Sequence, residues 1–198
     1  MRNFKRNLIL GMASVAAAAP AWAQYPDKPV TLVVPFAAGG PSDKIARDVA
    51  DALRQPLGQT VIVDNTVGAG GTIGAARVAR AKGDGYTLLV HHIGLATAPS
   101  LYKKLAYDTL KDFQFLGLIN EAPSVLIGRT SLAANNFAEL RKWATDTGGQ
   151  VNLANAGVGS ASHLCGLMLQ SALKLKMTTI PYKGTAPAMT DLIGGQAG

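Results

Sequence analysis

The run Val30-Thr31-Leu32-Val33-Val34 restricts what this chain can fold into more than any other stretch. β-branched and apolar residues follow one another with no polar alternation, so neither face of such a strand is suited to water. A strand covered on both faces belongs in a parallel sheet flanked by helices. The segments that follow fit that demand. Ile45, Val49 and Leu53 recur at four-residue spacing and predict a helix that stops at Pro56. Thr60 to Val63 reads as a second strand. Gly68-Ala69-Gly70-Gly71 leads into a second helix, with Ile73, Ala76, Ala79 and Ala81 available for packing and Gly83-Asp84-Gly85 at its end. Tyr86 to Val90 reads as a third strand. This β-α-β-α-β alternation predicts an α/β fold with a parallel sheet.

From Ala98 to Lys111 the pattern loosens into turn or short-helix material. Phe113 to Ile119 and Ser124 to Ile127 read as two extended segments around Asn120-Glu121-Ala122-Pro123, a crossover between lobes. Asn136-Phe137-Ala138-Glu139 is a capping box opening a helix that runs to about Asp146. A second α/β unit starts at Val151, with a helix over Ser162 to Leu173, a strand over Met177 to Tyr182 and a helix over Pro187 to Leu192. The expected division is a first lobe over 24–121 and a second over 122–198. No strand follows Gly194-Gly195 in this sequence, so the second lobe and the return crossing are expected to be incomplete. A lobe of about 75 residues with two strands is near the lower limit for burying a core. Such a chain is expected to be marginally folded or non-functional alone.

Residues 1–23 carry their own signature. Arg2, Lys5 and Arg6 precede the apolar run Leu8 to Ala19, and Ala21-Trp22-Ala23 supplies a small-x-small cleavage site. This is the pattern of an export signal, and the apolar run is too short for a membrane anchor. Export to the periplasm is the expectation. Removing those three cations from the 19 Lys and Arg leaves 16 against 12 acids, a balance of +4. That suits an anionic small molecule and is too weak and too dispersed to indicate nucleic acid. Cys165, the single cysteine, has no partner for an internal disulfide and sits in a helical apolar pattern with Leu164, Leu167, Met168 and Ala172, where a buried, inert thiol is expected.

Two glycine loops carry the chemistry. Pro35-Phe36-Ala37-Ala38-Gly39-Gly40-Pro41-Ser42-Asp43 and Ala156-Gly157-Val158-Gly159-Ser160-Ala161-Ser162-His163 each follow a strand and open a helix. Free N–H groups and the helix dipole make that junction an anion site. Gly39 and Gly40 allow close backbone approach, and Ser42 or Asp43 is expected to cap the helix. Two such loops read as half-sites facing one small carboxylate. The segment Gly68 to Gly74 fails the dinucleotide fingerprint, because Ile73 stands where its last glycine belongs. No cofactor is expected. The alternative is a hydrolase using Ser160 or Ser162 with His163. The nucleophile-elbow pattern is missing, and neighbours on one helix rarely orient as nucleophile and base, so no enzyme activity is expected. His91 and His92 end the third strand, where open α/β sheets hold ligands. Strand alternation predicts that their rings point to opposite faces, which argues against a paired metal site.

Taken in order, these residues resemble the Bug family, the periplasmic solute-binding proteins of tripartite tricarboxylate transporters. The likeness runs through Tyr25-Pro26-Asp27-Lys28-Pro29, the Pro35 to Asp43 loop, Gly68 to Gly71, Asp84-Gly85-Tyr86-Thr87, Pro99-Ser100-Leu101-Tyr102, Gly157 to Ser160 with His163, and Pro181-Tyr182-Lys183-Gly184-Thr185-Ala186-Pro187. The resemblance implies a two-lobed periplasmic-binding-protein-like fold that closes on a carboxylate, gripped mainly by backbone amides, hydroxyls and waters. Carried over by position, the contacts would come from Phe36, Ala37, Gly39 and Gly40, with Asp43 nearby, and from Gly157, Gly159, Ser160, His163 and Thr185. His92 would stand where the third-strand loop reaches the cleft. The implied partners are the membrane permease subunits of the transporter, with the receptor itself a monomer. Family chains continue well past Gly195, which is a departure here.

Overall fold

The computed structural model describes residues 25–148 and 150–196; the expected export signal lies outside them. β1 (Val30–Val34) is the middle strand of a three-stranded parallel sheet of order β2-β1-β3, with β2 at Val61–Asn65 and β3 at Thr87–Leu89. Val30 pairs with Val61, and Thr31 with Thr87. The central position explains the unbroken apolar run. Val30, Leu32 and Val34 pack with Ala46 and Ala50 of α1 (Pro41–Leu57), while Val33, fully buried, faces the other side by alternation. On that second face Ala75 and Ala76 of α2 (Thr72–Ala79) and Leu95 of α3 (Gly94–Leu101) form a smaller cluster with Tyr107.

Several boundaries move for identifiable reasons. α1 runs through Pro56 and ends at Gly58, whose left-handed backbone (φ 62°) closes the last turn. A proline in the final turn forfeits one hydrogen bond and does not by itself stop the helix. Neither Ser42 nor Asp43 is its N-cap. Gly40 takes that position and Pro41 is the first helical residue, where a missing N–H costs nothing. β3 is shorter than expected, ending at Leu89. The first residues of the segment read as turn or short helix, Ala98 to Leu101, are the end of the two-turn helix α3, which starts at Gly94.

A short 3-10 turn, Ala69–Gly71, joins β2 to α2. α2 lies so close to the sheet that a Cβ on Gly74 would stand 2.8 Å from both the Cβ of Pro35 and the carbonyl oxygen of Thr66. Neither neighbour is a flexible chain end. Gly74→Ala is therefore expected to cost about 1–3 kcal/mol through overpacking, read as a lower thermal midpoint; an unchanged midpoint would mean that α2 shifts freely.

The second sheet is the parallel pair β4 (Asn152–Asn155) and β5 (Thr178–Pro181), with α4 (Phe137–Asp146), α5 (Ala161–Leu173) and α6 (Thr185–Ile193) around it. Half of the capping box at α4 forms as expected: the Asn136 side chain accepts from the N–H of Glu139 (3.0 Å), while the Glu139 carboxylate reaches one residue further back and accepts from the N–H of Asn135 (2.8 Å). α5 and α6 each begin one or two residues earlier than their apolar spacing indicates, because spacing marks packing and not caps.

One expectation fails, at Cys165. Residues 113–119 and 124–127, read as extended crossover segments, join no sheet, and Leu116, Leu118 and Val125 are more than three-quarters exposed. Among the described residues no neighbouring strand offers them a ladder. Cys165 is exposed, not buried. α5 meets β4 through Gly166, against which Leu153 packs, so Cys165 and Met168 (71% exposed) turn outward.

Candidate functional site

The two lobes touch where their glycine loops meet. A Cβ on Gly184 would lie 2.8 Å from the backbone nitrogen of Ala37, and one on Gly157 would lie 3.3 Å from the Cα of Gly70. The Ala37 N–H donates to the carbonyl of Lys183 (3.0 Å), and the Tyr102 hydroxyl donates to the carbonyl of Val158 (2.8 Å). Between them lies a cavity of about 30 Å³ lined by Pro35, Phe36 and Gly68 to Gly71 from one lobe and by Ala156, Tyr182 and Lys183 from the other. This is a closed arrangement with room for about a water molecule.

The first-lobe loop is held from behind. Asp43 is buried (3%), and its carboxylate accepts from the Gly39 N–H (2.9 Å), from Arg47 through Nε (2.9 Å) and Nη2 (3.0 Å), and from Asn65 Nδ2 (3.0 Å). The Arg47 hydrogen bond, helped by the Gly39 N–H, holds its pKa down to about 2. Asp43 is thus an anion that shapes the loop. The Gly39 amide is committed to it, whereas the amides of Ala38 and Gly40 have no partner among the described residues. Gly40, the N-cap of α1, lies beside the first turn of α6. A Cβ there would be 3.8 Å from the nitrogens of Thr185 and Ala186, which are also without partners among the described residues.

Phe36, 5% exposed, is the aromatic wall. His92 stacks on it with centroids 4.5 Å apart, and His91 meets it edge-on at 5.5 Å. The rings do not point to opposite faces. β3 has already ended at Leu89, so strand alternation no longer applies to them. The His92 N–H donates to Nδ1 of His91 (2.8 Å), which also lies 3.1 Å from the His92 carbonyl, and the Gly94 N–H donates to Nδ1 of His92 (3.0 Å), which assigns the ring proton of neutral His92 to Nε2. Burial lowers both pKa values, to about 3 for His91, with the His92 ring adding to it, and to about 4 for His92. Both rings are neutral at ordinary pH.

In the second lobe, Ser160 (1% exposed) is the N-cap of α5, and its Oγ accepts from the His163 N–H (3.2 Å). The Gly157 N–H donates to Asn155 Oδ1 (2.9 Å) and the Gly159 N–H to His163 Nδ1 (3.2 Å). His163 therefore turns its imidazole onto its own loop, and that ring makes no hydrogen bond to Ser160 or Ser162. Those two hydroxyls lie 3.1 Å apart, and Ser162 accepts from the Ala156 N–H. Among the described residues no three His, Cys, Asp or Glu side chains converge as metal ligands.

The structure brings together Phe36, Ala37, Gly40 and Thr185 at the meeting of the lobes, and uses Asp43, Gly157, Gly159, Ser160 and His163 to shape the loops there. Sequence reasoning passed over Gly68 to Gly71 as an ordinary turn. Its signal was the run of glycines itself, since Gly68, Gly70 and Gly71 all hold positive φ (134°, 61° and 101°). Tyr182 and Lys183 carried no comparable signal.

Residues 45–197 match the family described as tripartite tricarboxylate transporter family receptor. The chain belongs to this family. A member-like relative, a UPF0065 protein from the ttuE–ttuC′ intergenic region of Agrobacterium vitis, is 52% identical over 172 residues, covering 87% of this chain and 50% of that protein. Among solved structures, the periplasmic binding protein BugD is 50% identical with a TM-score of 0.80, covering 87% of this chain and 58% of that one. MatC from Rhodopseudomonas palustris with bound malate is 40% identical with a TM-score of 0.82, covering 87% and 59%. The chain spans about half the length of the curated relatives it matches. As a receptor-family chain it has the parallel α/β lobes of a periplasmic binding protein.

Proposed function

We propose that the described residues are the ligand-gripping part of a periplasmic receptor, built from lobes over 24–121 and 122–198, that captures a small carboxylate for a tripartite tricarboxylate transporter and performs no chemistry on it. The observation that carries this reading is the convergence of helix N-termini. α1 and α6, from opposite lobes, present the amides of Gly40, Thr185 and Ala186, without partners among the described residues, within one small space, and such amides favour an anion. The neutral histidines and the committed Asp43 leave backbone dipoles as the grip. The malate held by MatC is of the matching chemical class. The ligand would be handed to the membrane permease subunits, and no cofactor takes part. The hydrolase alternative lacks the serine–histidine hydrogen bond that would activate a nucleophile.

Isothermal titration calorimetry with malate, succinate, adipate, citrate and aspartate tests this. At least one is expected to bind, and Gly40→Val to weaken it about tenfold or more by crowding the approach of the carboxylate to the backbone. Ser160→Ala is expected to cost on the order of 1 kcal/mol of stability through the lost cap. Absence of binding to the whole panel, or ester turnover abolished by Ser160→Ala, would overturn the reading.

A further inference from the structure

A second cavity, about 270 Å³ and open to solvent, lies outside the cleft between α2 and residues 104–106. Ile73 (52% exposed), Ala76 and Leu105 form its apolar floor, and Arg80 and Lys104 stand at its edge. No carboxylate lines it. Arg77 on the same helix is tied to Asp64 at 2.6 Å, whereas the side chains of Arg80 and Lys104 take part in no ion pair or hydrogen bond among the described residues. An apolar floor with a cationic rim fits an anionic segment that also carries a large apolar side chain.

The position of the groove adds a second argument. One wall is α2, which begins directly after the Gly68 to Gly71 loop, and the Cα of Gly70 faces the Val158 carbonyl of the other lobe. The opposite wall follows Tyr102, whose hydroxyl bonds that same carbonyl. Both walls are therefore anchored where the lobes touch, and opening the lobes releases both anchors at once.

We propose that this groove is the docking surface for an acidic, apolar-tipped segment of the protein that takes over the ligand, and that its shape reports lobe closure. The inference rests on the receptor reading for the partner's role, and its surface chemistry is separately testable. The concave apolar floor favours an inserted side chain over a flat anionic membrane.

The test is fluorescence anisotropy with a labelled hexapeptide, acetyl-Glu-Asp-Leu-Phe-Asp-Glu-amide, and parallel sedimentation with phosphatidylglycerol vesicles. The peptide is expected to bind the protein. Binding should weaken at least about tenfold in Arg80→Glu/Lys104→Glu and severalfold in Tyr102→Phe, with malate affinity of the charge-reversed protein unchanged. Circular dichroism checks that the variants fold, and Arg80→Gln/Lys104→Gln replaces the reversal if it does not. Equal peptide binding in the charge variants, no binding to the wild type, or vesicle binding without peptide binding would overturn the proposal. Peptide binding in a protein that binds no carboxylate would instead sink the receptor reading and leave the groove standing.

Discussion

Gly70→Val is expected to abolish carboxylate binding while each lobe keeps its fold. A Cβ at this position would collide with the carbonyl oxygen of Val158 in the opposite lobe and lie 2.5 Å from the Tyr102 hydroxyl. Backbone cannot yield as a flexible side-chain end can, so the lobes must part. The backbone at Gly70 is also left-handed (φ 61°), which adds about 1 kcal/mol of local strain for a β-branched residue. Separated lobes lose the facing amides of Gly40, Thr185 and Ala186, and with them the two-sided grip. Calorimetry should show malate affinity reduced by about a hundredfold or more, equivalent to about 2.7 kcal/mol. Gly83→Ala serves as the control, because nothing lies within 4 Å of a Cβ there. Full affinity in Gly70→Val would show that the lobes do not close through this contact.

The second large effect concerns Asp43 and acid. Its folded pKa of about 2 lies below the ordinary 3.8, chiefly through the Arg47 hydrogen bond. A lowered carboxylate pKa stabilises the fold by about 2 kcal/mol above pH 3.8, and this is lost as pH falls toward 2. Asp43→Asn should remove that stabilisation at neutral pH and flatten the acid limb of a urea-unfolding profile between pH 4 and 2. His91 and His92, buried as neutral rings, add a separate loss below pH 6.5 in both proteins, so the difference between the two profiles isolates Asp43. Parallel profiles would mean that Asp43 is not the anchor of the loop.

The sequence reveals the first lobe well because its signals are local. An apolar run without alternation can only be a central strand, and glycines before a helix mark a turn with open amides. The second lobe is less legible. The apolar spacing of α5 reads as a buried face, yet Gly166 is its one fully buried residue, and Cys165 and Met168 face solvent. Periodicity names a face but not the element that covers it. The segments 113–119 and 124–127 are legible only as extended crossover material, since pairing into a sheet needs a partner that the local sequence cannot specify. Within the site, sequence locates the loops but not the direction of each amide. That Gly39 turns back to Asp43 while Gly40 remains open depends on Asn65 and Arg47, which are distant in sequence or lie on another turn. The histidine pair departs from alternation because His91 and His92 lie two and three residues beyond the end of β3.

Backbone amide chemical shifts followed by NMR during a malate titration test two-sided capture most directly. The account predicts that the largest changes fall in both lobes at once, at Ala38 and Gly40, at Gly68 to Gly71, and at Thr185 and Ala186, with one shared binding curve. Changes confined to one lobe, or spread over the outer faces of α1 and α4 with the glycine loops silent, would contradict it.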